Sequence, residues 1–227
     1  MKHIALLTTL LLSASLQAVE KPYDYVFFEN SLMKGDYFYS QAKYTSPSWI
    51  KNARHHLPVA GSVAFTPGNS LELTYVSAPG GDWYSEIQYC PVRGNDFFRE
   101  PSTLSLQVQL RESMDAAALP NIAIRYADST YTQYLNLRNY LKDTRPGVWH
   151  SVSIPLKDFG LNAVNDTNIK KLAAVALRPG TADGNEYTIY LDDIELLPAS
   201  LPSVSTLNAP VLQEAKAYER HIDIKWI

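Results

Sequence analysis

The sequence predicts an all-β protein built as a two-layered sandwich of the jelly-roll kind. Short runs of β-branched and aromatic residues recur along the chain, separated by Gly, Pro, Asn and Asp. No long segment has the 3.6-residue period of a helix. The chain also contains 15 Tyr and 4 Trp, and such aromatic residues favour strands. About eight to ten short strands at this spacing are typical of a jelly roll, which also limits exposed sheet edges.

Apolar and polar residues alternate most regularly in two segments, residues 103–110 and residues 71–75. A two-residue period of this kind is typical of a half-buried strand. A short helical turn is predicted at residues 156–159. Further strands are predicted at residues 25–28, 63–65, 83–89, 121–126, 132–137, 148–154, 172–177 and 187–196.

The N-terminus has the order of residues found in a cleavable secretory signal. Lys2 and His3 precede an apolar run at residues 4–12, and small residues then lead to a predicted cleavage after Ala18. The apolar run is shorter than the roughly 20 residues that a membrane-spanning helix needs. We therefore expect a secreted or periplasmic protein with no membrane span.

The composition excludes several classes of function. The chain has 20 Lys and Arg against 23 Asp and Glu, a net charge of −3, which offers no basic surface for nucleic acid. Cys90 is the single cysteine and cannot form an internal disulfide, so packing, with or without a metal, must stabilise the domain. Tyr and Trp with an exposed polar group suit a surface that stacks on the flat faces of sugar rings.

Composition also divides the chain after the signal, residues 1–18. Residues 19–198 are predicted to form the sandwich domain. Residues 199–210 are rich in Pro, Ser and Ala and carry no charge, which indicates a linker. Residues 211–227 resume an alternating pattern that ends near Trp226, and we interpret them as the beginning of a second β-domain that is incomplete here.

Several segments resemble galactose-binding-like jelly-roll modules. VFFENS (26–31) resembles their opening strand, and IYLDDIEL (189–196) resembles their closing strand. GVWHSVSIPLKDFG (147–160) resembles their strand with a Trp before a Pro-Leu-x-x-Phe turn, which implies a core position for Trp149.

Two other segments resemble parts of larger glycan-degrading proteins. FTPGNSLELTYVSAPGGDW (65–83) looks like the module ahead of the catalytic domain in some bacterial glucoamylase-like, β-glucan-degrading enzymes. APVLQEAKAYERHIDIKW (209–226) is similar to the first strands of a fibronectin type III domain.

The resemblance implies a structural Ca²⁺ between the opening and closing strands, which we expect to lie side by side. The candidate ligands are Glu29 from the opening strand and Asp192 or Asp193 from the closing strand. Carboxylates and loop carbonyls are the oxygen ligands that Ca²⁺ prefers. Only one of the two aspartates can face the metal, because successive side chains of a strand point in opposite directions. The alternative is that Glu29 caps a turn and the aspartates are solvated.

The sugar-binding surface is expected either across a concave sheet or in loops at one edge. Residues 121–138 combine aromatic planes with Arg side chains, which suits the hydroxyl groups of a sugar. Trp83 and Tyr84 follow a Gly-Gly loop and form a second candidate platform. Packing within the sheet is the alternative for each Tyr. The candidate ligand-binding residues are Arg125, Tyr126, Tyr131, Tyr134, Arg138, Arg178, Trp83 and Tyr84.

Motifs for catalysis are lacking. His55 and His56 are adjacent and would point apart in an extended segment, and there is no His-x-x-x-His pair, Gly-x-Ser-x-Gly elbow or phosphate loop. No two carboxylates can be paired from sequence as a glycosidase requires. Cys90 is interpreted as a small buried residue.

The sequence therefore predicts a non-catalytic carbohydrate-binding or accessory module of a secreted polysaccharide-degrading protein. Its expected partners are a polysaccharide or oligosaccharide such as a β-glucan, and a C-terminal catalytic domain of the parent protein. Two alternatives stay open: a structural spacer that packs on a glycoside hydrolase without binding sugar, and a small glycan-active enzyme such as a lyase.

Overall fold

The computed structural model describes residues 25–89, 101–161 and 171–198, together with the backbone of residues 212–217 and 222–226. The predicted signal peptide, the predicted linker and Cys90 lie outside these residues. The strands of the first three ranges are β1 (Tyr25–Phe28), β2 (Ser40–Thr45), β3 (Trp49–Ile50), β4 (Val59–Ala60), β5 (Ser70–Val76), β6 (Asp82–Gln88), β7 (Pro101–Leu110), β8 (Asn121–Tyr126), β9 (Leu135–Asn136), β10 (Trp149–Pro155), β11 (Leu172–Arg178) and β12 (Glu186–Pro198).

These strands form two antiparallel sheets. The seven-stranded sheet has the order β10-β7-β12-β5-β3, with β1 also paired to β12 and β4 to β5. The five-stranded sheet has the order β2-β6-β11-β8-β9. The predicted sandwich is therefore confirmed, and so is the pairing of the first strand with the last, in which Tyr25 opposes Leu196. In the part of the chain that the structure describes, no helix is long and apolar enough to cross a membrane.

The core lies between the two sheets and is built from alternate residues of each strand. In β7, Leu104, Leu106, Val108 and Leu110 are fully buried, whereas the intervening Ser and Gln side chains are half-buried on the outer face. Each buried aliphatic side chain stabilises the fold by roughly 1.5–3 kcal/mol relative to an exposed one. The alternate apolar residues that predicted β7 are therefore the residues through which its sheet packs on the other sheet.

Several predicted strand boundaries were correct and others were wrong. The segment 63–65 is a loop, and the predicted strand 132–137 is reduced to the two residues of β9. Strands β2, β3 and β4 were not predicted. Two of them, β3 and β4, have only two residues each and leave no measurable period. The predicted helical turn is confirmed as a 3-10 helix at Leu156–Phe159.

Trp149 lies on the outer face of the seven-stranded sheet, so the expectation that it is a core residue was wrong. It is the Cα partner of Gln109 in β7, and the alternating positions Val152 and Ile154 are the ones that enter the core. The Trp149 side chain is half-buried and makes an edge contact with Phe65, with a distance of 6.0 Å between ring centroids.

Trp83 is fully buried between the sheets, so the expectation that it forms a surface platform with Tyr84 was also wrong. Its indole Nε1 donates a hydrogen bond of 2.9 Å to Ser77 Oγ, and its ring centroid lies 4.7 Å from that of Tyr75. Successive residues of β6 point to opposite faces, which is why Tyr84 lies outside while Trp83 lies inside.

A two-stranded antiparallel sheet follows at the end of the described chain. It consists of β13 (Leu212–Ala217) and β14 (Ile222–Trp226), with Ala215 opposite Ile224. These two strands agree with the alternating pattern of residues 211–227. The similarity of this segment to a fibronectin type III domain stays a prediction.

Replacing Trp83 by Phe should lower the free energy of unfolding by about 1–3 kcal/mol. The substitution leaves a cavity and removes the donor to Ser77 Oγ in the core. Urea denaturation followed by circular dichroism measures the effect. The matched control is Tyr84→Phe on the outer side of the same strand, which should change stability by less than about 0.5 kcal/mol. Equal effects of the two substitutions would contradict the inward position of Trp83.

Candidate functional site

The outer face of the five-stranded sheet has a floor of small side chains. Ala123 of β8 and Ala176 of β11 are Cα partners, and Ala174 precedes Ala176 by two residues on β11. All three point away from the core, yet each is at most 2% exposed. Larger side chains therefore cover these three alanines, and the small alanine side chains leave room for them above the sheet.

Two tyrosines lie together above this sheet. Tyr131 pairs with Arg125 at the edge of β8, and its ring centroid is 5.9 Å from that of Tyr134, with 30° between the planes. The guanidinium of Arg178, at the end of β11, lies 5.9 Å from the Tyr131 ring and 5.6 Å from the Tyr134 ring. A cation at such a distance from an aromatic ring is attracted to it, so Arg178 holds the pair in place.

A buried carboxylate joins these side chains from below. Glu86 of β6 is 2% exposed and accepts a hydrogen bond of 2.6 Å from the Tyr131 hydroxyl. Its second oxygen lies 3.1 Å from Arg125 Nε and accepts a hydrogen bond from Gln41 Nε2. An ionised carboxylate this deep needs a charged partner and hydrogen bonds, and here it has both.

Burial and, to a smaller extent, the hydrogen bond to Glu86 together raise the pKa of Tyr131 to about 12. Burial likewise raises the pKa of Tyr134, while Arg178 opposes the change. Both phenols therefore keep their protons at neutral pH. A neutral tyrosine can stack on a sugar ring and still use its oxygen as an acceptor.

Polar side chains form the rim of this face. Arg178 Nη1 lies 3.8 Å from a carboxylate oxygen of Asp82, and Lys43 Nζ lies 5.9 Å from the centre of the Tyr84 ring. Tyr84 and Lys43 are Cα partners in β6 and β2, so they lie on the same face as Glu86. The rim thus offers donors and acceptors around an aromatic centre.

The structure brings five of the eight predicted ligand-binding residues onto one face: Arg125, Tyr131, Tyr134, Arg178 and Tyr84. Three do not join them. Trp83 is in the core, Tyr126 packs against the core from the edge of β8, and Arg138 is exposed on the 3-10 turn Leu137–Asn139.

Four polar residues of this face were missed in the sequence: Glu86, Gln41, Asp82 and Lys43. Glu86 carried a usable signal, since it lies between Ser85 and Ile87 in a predicted strand and therefore faces opposite to them. The partner strands that bring Gln41 and Arg125 to it could not be known without the topology.

The second group of predicted site residues, Glu29, Asp192 and Asp193, lies where β1 meets β12. Asp192 is fully buried, and its Oδ2 accepts hydrogen bonds from the peptide N–H groups of Phe65 and Thr66, at 2.8 and 3.2 Å. Its Oδ1 accepts the N–H of Asp193, and Asp193 Oδ2 accepts the Thr66 hydroxyl, both at 2.8 Å. The two aspartates therefore hold the loop 61–69 against the sheet.

The fit of these residues to Ca²⁺ is incomplete. Among the described residues, no group of three or more His, Cys, Asp or Glu side chains is close enough to hold a metal ion. Asp192 directs its oxygens at N–H donors, whereas the nearby loop residue Asn30 has a buried Oδ1 without a hydrogen-bond donor, an atom that suits a cation. Calcium binding by Glu29, Asp192 and Asp193 stays a prediction.

Comparison with known proteins identifies the family. A family model described as carbohydrate binding domain 30 matches residues 24–197, which is the whole sandwich. The chain belongs to this family. As a family 30 module it is a non-catalytic, carbohydrate-binding domain, and the predicted accessory role is confirmed at this level.

Relatives of this family 30 module include a much longer protein. The chain is 97% identical over all 227 residues to the exo β-1,2-glucooligosaccharide sophorohydrolase of Parabacteroides distasonis, and it spans 32% of that protein's length. It is also similar to the crystal structure of a β-1,2-glucanase from the same organism, with 97% identity, a TM-score of 0.80, and coverage of 91% of this chain and 30% of that one.

A more distant relative shares the fold of the family 30 module. The family 30 carbohydrate-binding module of a cellulosomal cellulase from Clostridium thermocellum is 16% identical, with a TM-score of 0.56. The alignment covers 78% of this chain and 99% of that module. The two-sheet architecture is therefore shared at low sequence identity.

The carboxyl group of Asp192 should titrate with a midpoint at about pH 6 in the presence of a chelator. Burial, with a smaller contribution from the neighbouring Asp193, raises the pKa of Asp192 to about 6 against the opposing effect of the peptide N–H bonds. Because the folded-state pKa is raised, its contribution to stability is full below about pH 4 and falls by about 3 kcal/mol as the pH rises through 6. Carboxyl ¹³C NMR measures the midpoint, with Asp192→Asn identifying the signal. A midpoint near 4 would contradict the burial argument.

Proposed function

We propose that this family 30 module binds β-1,2-glucan across the outer face of the five-stranded sheet. We further propose that it serves as the exported accessory domain of a protein whose remaining chain hydrolyses that glucan. The support for the substrate is the 97% identity to a sophorohydrolase that acts on β-1,2-glucooligosaccharides, of which this chain spans 32%.

The tyrosine pair above the alanine floor carries the choice of face. Tyr131 is 37% exposed, and Arg178 side-chain atoms are 44% exposed, so both present surface to solvent although they are held from below. Aromatic planes stack on the apolar faces of pyranose rings, and the surrounding Arg and carboxylate groups bind hydroxyls. This face combines both kinds of contact within one sheet.

The buried pair of Glu86 and Arg125 supports the same conclusion. Placing an ion pair on a sheet face costs desolvation energy and is seldom a means of stabilising a fold. Here the pair orients the Tyr131 hydroxyl and leaves its ring facing outward. The arrangement is therefore better explained as support for a binding surface than as a stabilising core.

A structural spacer without sugar affinity is the competing function. Such a spacer would need only a stable sandwich and a contact with its neighbour, and neither requires oriented tyrosines on an outer face. The two functions differ in one measurement, because a spacer binds no glycan from any source.

Replacing Tyr134 or Tyr131 by Ala should weaken binding of β-1,2-glucan by about tenfold or more, because each loses a stacking plane. Isothermal titration calorimetry of the 227-residue chain with β-1,2-, β-1,3- and β-1,4-linked oligosaccharides measures both affinity and linkage preference. Tyr131→Phe tests the hydrogen bond to Glu86 alone, since it retains the ring.

The matched control is Tyr44→Ala. Tyr44 is 54% exposed and is the Cα partner of the inward-facing Trp83, so it lies on the opposite side of β2 from Lys43. Its substitution should leave affinity unchanged. Preference for another linkage would refute the proposed substrate. Equal loss in the control would refute the proposed face, and absence of binding to all glycans would favour the spacer.

A further inference from the structure

The outer face of the seven-stranded sheet carries a second aromatic row that the function proposed above does not use. Trp149, Gln109 and Tyr190 are consecutive Cα partners across β10, β7 and β12. All three are half-buried side chains on the outer face. The two aromatic residues are separated by two strand spacings, about 10 Å, with the amide of Gln109 between them.

The amides of this face are oriented by their neighbours. Ser151 Oγ donates a hydrogen bond of 2.9 Å to Gln107 Oε1, which leaves the amide nitrogen of Gln107 on its other side. Gln109 Nε2 donates to the carbonyl of Gly147 at 3.3 Å, which leaves its oxygen as an acceptor. Gln107 therefore offers a donor and Gln109 an acceptor, and a sugar hydroxyl can bind to either of them.

A loop forms a wall beside this row. Asp192, on the same face as Tyr190, accepts hydrogen bonds from the N–H groups of Phe65 and Thr66 and so fixes this loop over the sheet. Phe65 is 47% exposed and makes its edge contact with Trp149. Trp149 and Phe65 thus enclose one side of a surface whose floor is Gln109 and Tyr190.

The charge of this face limits its ligand. The row of Trp149, Gln109 and Tyr190 is uncharged, and the next residue in register, Glu72, is paired with Lys51 Nζ at 2.6 Å. A neutral surface that alternates aromatic rings with amides matches a neutral molecule with flat apolar faces and many hydroxyls.

We propose that the row Trp149–Gln109–Tyr190 is a second glycan-binding platform, for the pyranose rings of a β-linked glucan. It lies on the opposite side of the sandwich from the tyrosine pair Tyr131 and Tyr134. Each face therefore binds sugar by itself, and a long glucan or two separate chains can be held at once.

The test uses the 227-residue chain with both tyrosines of the first face replaced, Tyr131→Ala and Tyr134→Ala. This variant should keep residual retardation in gels that contain polymeric β-1,2-glucan. Adding Trp149→Ala should weaken the residual binding by about tenfold, and Trp149→Phe, which keeps an aromatic ring, should restore much of it. Val148→Ala is the control, because Val148 is 40% exposed and adjacent in sequence but precedes the row.

The outcomes separate the two faces. Residual binding that is insensitive to Trp149→Ala overturns the second platform and leaves the first unaffected. Loss with Trp149→Ala in the otherwise wild-type chain, without loss from the tyrosine substitutions, supports the second platform and refutes the first. If Trp149→Ala leaves glucan retardation unchanged in both backgrounds, the row does not bind glucan and the proposal is wrong.

Discussion

The pairing of β12 with three other strands is the constraint on which the sandwich depends. This strand bonds to β7 along most of its length, to β5 at its beginning and to β1 near its end. Its partners come from distant parts of the sequence, so the sheet forms only when the two ends of the domain meet. The same strand places Tyr190 on the outer surface and Asp192 beneath the loop 61–69. The strand β12 thus determines both the pairing of the sheet and the positions of Tyr190 and Asp192.

Strand alternation connects this architecture with recognition. Every residue of β6 and β11 that enters the core leaves its neighbour on the outside, so the hydrophobic effect that fixes Trp83 and Val175 also fixes Glu86 and Ala176. A shift of one residue in register would bury Glu86 in the core and expose the apolar set. The positions of the outer-face side chains are therefore determined by the packing of the core.

Much of the fold was predictable because its signals are local. The alternation in β7 and the closing segment around Asp192 identified the sandwich and its side-by-side terminal strands. The candidate site was predicted in part, since Tyr131, Tyr134 and Arg178 could be chosen by chemistry. Trp83 and Trp149 were each assigned to the wrong side, because a tryptophan suits a core and a sugar platform equally well. Only the pairing register, a long-range property, decides between these positions.

The network beneath Tyr131 has a further consequence. Glu86 already contacts Arg125 and accepts a hydrogen bond from Gln41 in the free protein, and Arg178 already lies against both tyrosine rings. Binding of a glucan to this proposed face should therefore freeze few additional rotamers, which would keep the entropic penalty of complex formation small. We therefore expect the proposed glucan-binding face to be rigid, and a rigid face should distinguish glucan linkages by the curvature of the chain.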